Sequence, residues 1–335
     1  MCSTMRLPAL TFSIILASAH AVTVPSVALR NGVKMPLISA GSGGWNSNTT
    51  YMSFSAALKL GFTAVDTAHE YGNQAGAGQA LQSVQREAVF VETKVPGCMT
   101  DPSSLNPFAC YSDTKHILED DLKKLNLSYV DLVLIHYPPA PSWVFRSCSN
   151  FTGGCEMVRR QWKAMEEFYR EGKARAIGVS NYCPSCFECL DSAEVFPMVN
   201  QIQYHLGMGL NPKGFMDYAR TRGVQIQAYG ALGNPPLDPR DPGASDIILH
   251  GNITTSIGRA HNKSSVQIAL KWLVDQGIPA TTKSTNPRHL AEDLELWDFE
   301  LTSEETVRLN AMKKPSGSPS FACSDRESSS MALMV

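Results

Sequence analysis

The sequence has no surplus of charge of either sign. Lys plus Arg number 29 and Asp plus Glu 31, a formal net charge of -2, and no basic block stands out. A nucleic-acid binder draws its affinity from neutralised phosphates, so that class is excluded. Long apolar runs are also missing: the longest, Leu7 to Ala17, falls short of the ~20 residues a bilayer-spanning helix needs, which leaves no membrane partner. No G-x-x-x-x-G-K-S/T occurs, so there is no P-loop. Gly41-Ser-Gly43-Gly44-Trp45 lacks the third glycine of a dinucleotide fingerprint, which argues against a doubly wound sheet. Apolar residues are not scarce. With 43% hydrophobic and 18% charged residues, the 335-residue chain can bury a full core, and general disorder is excluded.

Cysteine is abundant, at nine residues, which is high for a cytosolic enzyme. The N-terminus explains part of this. Arg6, the short apolar run and Ala19-His-Ala21 read as a cleavable secretory leader over residues 1–21. Its removal takes Cys2 and leaves eight cysteines, an even number that an oxidising compartment permits to pair. Five N-x-S/T sequons, at Asn48, Asn126, Asn150, Asn252 and Asn262, point to the same route. Secretory routing is therefore expected, with cytoplasmic residence as the alternative.

The folded part opens with an Asn31-Gly32 turn between short apolar stretches, a hairpin signal. Short β-branched or apolar runs then alternate with amphipathic segments. Strands are predicted at Leu37–Ser42, Phe62–Asp66, Ala88–Lys94 and Val130–His136, and then at Ala174–Ser180, Met198–Tyr204, Val224–Tyr229 and Ile278–Lys283. Helical periodicity covers Tyr51–Leu60, Ser112–Leu125, Glu156–Glu171 and Ser264–Gln276. This alternation predicts an α/β fold, a (β/α)8 TIM barrel with an N-terminal β-hairpin, over residues 22–312, followed by a polar, disordered tail over 313–335. Active sites of such barrels lie at the C-terminal strand ends. Those ends read Asp66, Lys94, His136, Ser180-Asn181, Gln201, Tyr229 and Lys283-Ser284, a run of polar residues where apolar or turn residues are the norm.

Around these positions the wording becomes specific. Gly61-Phe-Thr-Ala-Val-Asp66-Thr-Ala-His-Glu-Tyr71-Gly-Asn73 resembles the first signature of the aldo-keto reductases, and Leu122 to Pro138 resembles the stretch that carries the family's histidine. Met165 to Asn181 is similar to the central signature, and Thr282 to Phe299 to the last. The resemblance runs in order from Val27 to Met312. It implies a catalytic set of Asp66, Tyr71, Lys94 and His136 and an NADPH-dependent reduction of aldehydes and ketones. The chemistry is coherent: a phenol is a poor acid at neutral pH, and a neighbouring ammonium is expected to lower its pKa. Asp66 would hold Lys94 charged, and His136 would orient the carbonyl.

By the same resemblance, Ser180, Asn181 and Gln201 bind the nicotinamide carboxamide and Tyr229 stacks on its ring. Leu232 lies in the following cofactor loop. Lys283, Ser284, Arg288 and His289 hold the adenosine phosphate, while Glu292 and Asp293 contact the adenosine. Trp45 and Tyr137 line the pocket. Departures are His289 where Arg is usual, Asp293 where Asn is usual, and Gly230-Ala231 where Ser-Pro is commoner. These bear on the choice between NADPH (NADP+) and NADH, with NADH the alternative cofactor. The partner is a small-molecule carbonyl, no metal is required, and a monomer is the family-level expectation. A cofactor-binding regulator without turnover is a competing class. A hydrolase ranks last, because Asp66 is the only acid among the strand ends.

Long connections are expected at Val95–Tyr111, Pro138–Cys155 and Gly230–Asn262, the last rich in proline. Cys98 and Cys110 bracket the first, and Cys148 and Cys155 the second. Local disulfides across each are one expectation and free buried thiols the other. Cys183-Pro-Ser-Cys186-x-x-Cys189 opens a helix, where redox or metal chemistry is conceivable but lacks a second ligand pair.

Overall fold

The computed structural model describes residues 23–98, 107–138, 148, 154–233 and 244–313. The leader, all but the first residue of the tail, the proline run and Asn150 lie outside the described residues. The hairpin comes first, with β1 (Ser26–Ala28) antiparallel to β2 (Lys34–Pro36). Eight parallel strands follow: β3 (Ile38–Gly41), β4 (Ala64–Asp66), β5 (Phe90–Val95), β6 (Val130–Ile135), β7 (Ala174–Ser180), β8 (Val199–Gln203), β9 (Gln225–Tyr229) and β10 (Ala280–Thr282). They pair in chain order, and β10 returns to β3 and closes the barrel. This is the expected (β/α)8 barrel with its hairpin.

Local chemistry sets the helix ends that aim the strands. The first helix, α1 (Ser47–Leu60), starts where the Asn46 side chain accepts the Thr49 N–H at 2.9 Å. It stops at Gly61, whose φ of 109° lies in the left-handed region that a residue without Cβ adopts freely. Next come α2 (Gln74–Leu81), α3 (Pro107–Leu125), α4 (Gly154–Arg170), α5 (Pro184–Glu188) and α6 (Phe215–Thr221). The stretch expected as one long loop after β9 contains two helices, α7 (Ala244–Leu249) and α8 (Asn252–His261). Its Ile248 and Ile257 are buried in the core, so an apolar anchor overrides the loop-like composition around it. The remaining helices are α9 (Ser265–Val274), α10 (Pro287–Leu294) and α11 (Ser303–Asn310). Among the described residues no helix is long and apolar enough to cross a membrane.

Strand alternation divides the core. Outward positions such as Val91, Val95, Val133, Ile135, Ile177 and Val179 pack under the helices in the main apolar cluster. A second, smaller cluster fills the N-terminal end of the lumen, where Phe90, Ala64, Leu132, Leu134, Ala176 and Val199 meet Leu29 and Met35 of the hairpin segment. Gly178 lies between them, and a Cβ there would sit 2.5 Å from the Val199 carbonyl oxygen. The hairpin therefore plugs one end of the barrel and leaves chemistry to the other.

Candidate active site

Moving along the lumen from the plug, the inward positions turn polar. Lys94 is 1% exposed, and its Nζ donates to Asp66 Oδ1 and to the Thr67 carbonyl at 3.1 Å. Asp66 Oδ2 accepts from Gln201 Nε2 at 2.8 Å and from Thr281 Oγ1 at 2.9 Å. Two residues below Lys94 on β5 lies Glu92, which sequence reasoning passed over. Its oxygens accept from Gln201 Nε2 and Gln227 Nε2, each at 2.7 Å. Burial, then the Asp66 charge, pushes the Glu92 carboxyl well above the usual carboxylate range. Burial opposes the Lys94 charge too, but Asp66, Tyr71 and Glu92 outweigh it and hold the ammonium. The period of β5 was the available signal, since Glu92 and Lys94 share a face.

Tyr71 ends a short turn of 3₁₀ helix, His69–Tyr71, directly after β4. Lys94 Nζ lies 5.3 Å from its ring centre, and the His136 ring meets it edge-on at 5.5 Å between centroids. The four residues of the expected catalytic set thus converge from β4, β5, the residue after β6 and the turn between β4 and α2. The electrostatics differ from the sequence expectation. Burial raises the Tyr71 pKa by more than the neighbouring Lys94 lowers it, so the phenol stands above its ordinary value. Lys94 counteracts the penalty without reversing it.

Glu70, also unforeseen, stands beside His136 and Tyr137. Its carboxylate accepts from His136 Nδ1 at 2.9 Å and from the Tyr137 hydroxyl at 2.7 Å. Burial pushes the Glu70 carboxyl up, but the His136 and Tyr137 hydrogen bonds bring it below the usual carboxylate range.

The expected cofactor positions form two groups on the same face. In the first, Asn181 has a φ of 60°, a left-handed backbone that asparagine tolerates better than most residues. Its Nδ2 donates to the His136 carbonyl at 2.9 Å and its Oδ1 accepts from the Tyr229 hydroxyl at 2.9 Å. Ser180 Oγ donates to the Gln201 carbonyl at 2.8 Å. Gln201 itself is turned into the lumen, its Nε2 shared between Asp66 and Glu92. Leu232 packs half-buried against the main core. The second group surrounds the end of β10 and the start of α10, where Lys283, Arg288 and His289 are exposed cationic or protonatable groups. Lys283 Nζ donates to the Gly43 carbonyl at 2.7 Å and lies 5.3 Å from the Trp45 ring centre. Ser284 Oγ accepts the Asn286 N–H, and Arg288 pairs with Glu292 at 2.9 Å. Asp293 is buried against Thr282 Oγ1, and burial pushes its pKa up to about 7. A flat aromatic with amides at one end and cations beside a helix N-terminus at the other is a donor set that fits a nicotinamide dinucleotide.

Cysteine pairing follows the expectation once and departs from it once. Cys98 pairs with Cys110. Cys148 does not pair with Cys155; instead Cys148 joins Cys186 and Cys155 joins Cys189, so the segment after β6 is stapled to α5. Cys183 is disulfide-bonded as well. The Cys183–Cys189 run is therefore taken up in disulfides, which leaves no free thiolate there to ligate a metal. Cys186 lies in α5 and Cys189 caps its C-terminus three residues on, so both come to the same side.

Comparison with known proteins agrees with this geometry. The profile of the aldo/keto reductase family matches residues 38–314. A glyoxal reductase of Bacillus subtilis is 33% identical over 293 residues, 86% of this chain and 93% of that protein. MGS-M4, an aldo-keto reductase from a deep-sea metagenome library of the Medee basin, superposes with a TM-score of 0.71 at 29% identity, covering 86% of this chain and 94% of that one. A Bombyx mori aldo-keto reductase solved in complex with NADP gives a TM-score of 0.69 at 26% identity, covering 87% and 93%. Aldo-keto reductases bind nicotinamide cofactors and act on small-molecule carbonyls. With the barrel, its polar C-terminal lumen and the profile match in agreement, the chain is an oxidoreductase that belongs to the aldo/keto reductase family.

Proposed function

We propose that the protein reduces aldehydes and ketones to alcohols with NADPH, with Tyr71 as the general acid. The observation that carries this reading is the buried Asp66–Lys94 pair placed behind the Tyr71 ring, with His136 edge-on to that ring. When bound, the reduced nicotinamide supplies hydride to the carbonyl carbon. Tyr71 protonates the carbonyl oxygen as it gains charge, and the Lys94 ammonium stabilises the phenolate left behind. Asp66 keeps Lys94 charged and oriented. His136 holds the carbonyl oxygen and fixes its angle to the phenol. Trp45 and Tyr137 form the walls against which a small substrate packs.

Support for NADPH over NADH comes from Lys283, Arg288 and His289, a cationic grip for a 2′-phosphate. Ser180, Asn181, Gln201 and Tyr229 would hold the nicotinamide end, with Leu232, Ser284, Glu292 and Asp293 along the rest. The glyoxal reductase relative favours small aldehydes. The chain acts on its own as a monomer in this reading. Secretory routing is part of the proposal too: the described sequon residues Asn48, Asn126, Asn252 and Asn262 are all exposed, and disulfides tie the rim. N-terminal sequencing and a glycosidase mobility shift on native protein test the routing.

Purified protein given NADPH and a panel of aldehydes should consume the reduced-nicotinamide absorbance, and Tyr71→Phe should lower kcat by about 10³-fold. No turnover with any aldehyde, or an unchanged rate in Tyr71→Phe, overturns the reading.

A further inference from the structure

We propose that Glu70 is a positioning residue that fixes the proton of His136 on Nδ1, so that His136 donates to the substrate oxygen through Nε2 only as an imidazolium. The inference rests on the carbonyl-reductase reading and adds a group with no part in the proton transfer from Tyr71. It stands on geometry. Glu70 Oε2 lies 2.9 Å from Nδ1, and Glu70 Oε1 takes the Tyr137 hydroxyl at 2.7 Å, so both carboxylate oxygens are engaged and the side chain is clamped. An ionised carboxylate can only accept, and Nδ1 must then donate. A neutral imidazole carries one proton. With that proton on Nδ1, Nε2 has a lone pair and repels a carbonyl oxygen. A second proton on the ring restores the donor and gives it a positive charge, which binds an oxygen that is becoming an alkoxide more tightly than a ground-state carbonyl.

The other groups around this pair do not supply the same proton. Tyr71 meets the His136 ring by its edge, with Lys94 and Asp66 behind it. Tyr137 is committed to Glu70, and Tyr229 reaches Asn181, whose Nδ2 holds the His136 carbonyl. His69 adds a favourable field at Glu70 from the same turn but is itself bonded through Nδ1 to Asp121 of α3 at 2.6 Å, with Asp120 and Lys124 beside it. The carboxylate that faces Nδ1 is that of Glu70.

The consequence is a dependence on pH that one substitution inverts. In Glu70→Gln the amide oxygen can keep the Tyr137 hydroxyl while the amide nitrogen donates to Nδ1. The neutral ring then carries its proton on Nε2 and donates without a charge. The unaltered enzyme should show a falling limb of kcat/KM for aldehyde reduction as pH rises. Glu70→Gln should lack that limb, hold its rate to higher pH, and be slower than the unaltered enzyme in the acid range. Nitrogen-15 spectra of the His136 imidazole in the full chain give a readout independent of turnover. The neutral ring should be protonated on Nδ1 in the unaltered protein and on Nε2 in Glu70→Gln. Superimposable pH profiles overturn the proposal, as does an Nε2-protonated neutral ring in the unaltered protein. If the unaltered protein reduces no aldehyde at all, the carbonyl-reductase reading fails, and the imidazole spectra still decide whether Glu70 sets the tautomer.

Discussion

The two ends of the barrel lumen are made by the same strands yet carry opposite chemistry. At the hairpin end the inward side chains are Ala64, Phe90, Leu132 and Ala176, sealed by Leu29 and Met35. One or two pleats further on, the same strands offer Asp66, Glu92, Lys94, His136 and Ser180. Backbone pairing is continuous through both ends, so it cannot be what separates them. The difference lies in what each pleat excludes. The plugged end is apolar and contributes packing. The open end buries an ammonium and two carboxyls, a cost met only because each is hydrogen-bonded. Stability and function are therefore stacked along one axis, and substitutions can address them separately.

The largest effect should come from Lys94→Met, which removes the ammonium and leaves Asp66 and Glu92 facing each other. Turnover should fall by at least about 10³-fold. Chemical denaturation should show a loss of about 3–5 kcal/mol, the scale of breaking a buried pair. A variant as stable as the parent would mean that the polar end is not held by its charge balance. Next, Leu132→Ala opens a cavity at the plugged end and should cost about 2–4 kcal/mol while leaving kcat within about twofold. A large fall in kcat there would show that the two ends are coupled.

The smallest and most diagnostic test is Glu92→Gln. The folded state keeps the Glu92 proton over a range where the unfolded chain has lost it, so stability should fall as pH rises through that range. The substitution removes this slope, and its gain over the parent should be about 1 kcal/mol on the alkaline side, read from denaturation midpoints at two pH values. Gln227 Oε1 has no partner among the described residues. A half-turn of that amide lets it accept from the amide introduced at position 92. Equal slopes for parent and variant would place the proton elsewhere.

How much of this the sequence displayed depended on the kind of information. Strand alternation and polar strand ends were local and repeated, so the barrel and the strand-end positions Asp66, Lys94 and His136 could be read directly, whereas Tyr71 was implied by the family resemblance alone. Glu92 lies on the lumen face beside Lys94 and was readable in principle from the two-residue period. Glu70 was not, because nothing in a turn tells which neighbour its carboxylate will meet. The helices α7 and α8 were hidden by the proline-rich segment that precedes them.

By itself the sequence determined the order of strands and helices, the closure of the barrel and the chemical types at its mouth, because these follow from periodicities a few residues long. The tertiary structure alone decided the partners. Sequence proximity suggested Cys148 with Cys155, but α5 brings Cys186 and Cys189 against them, since a disulfide depends on the approach of two side chains in space and not along the chain. The same holds for Glu70, which meets His136 across 66 residues of chain. It holds for Tyr71 too, whose acidity is set by a balance between burial and Lys94 that exists only once the strands are assembled.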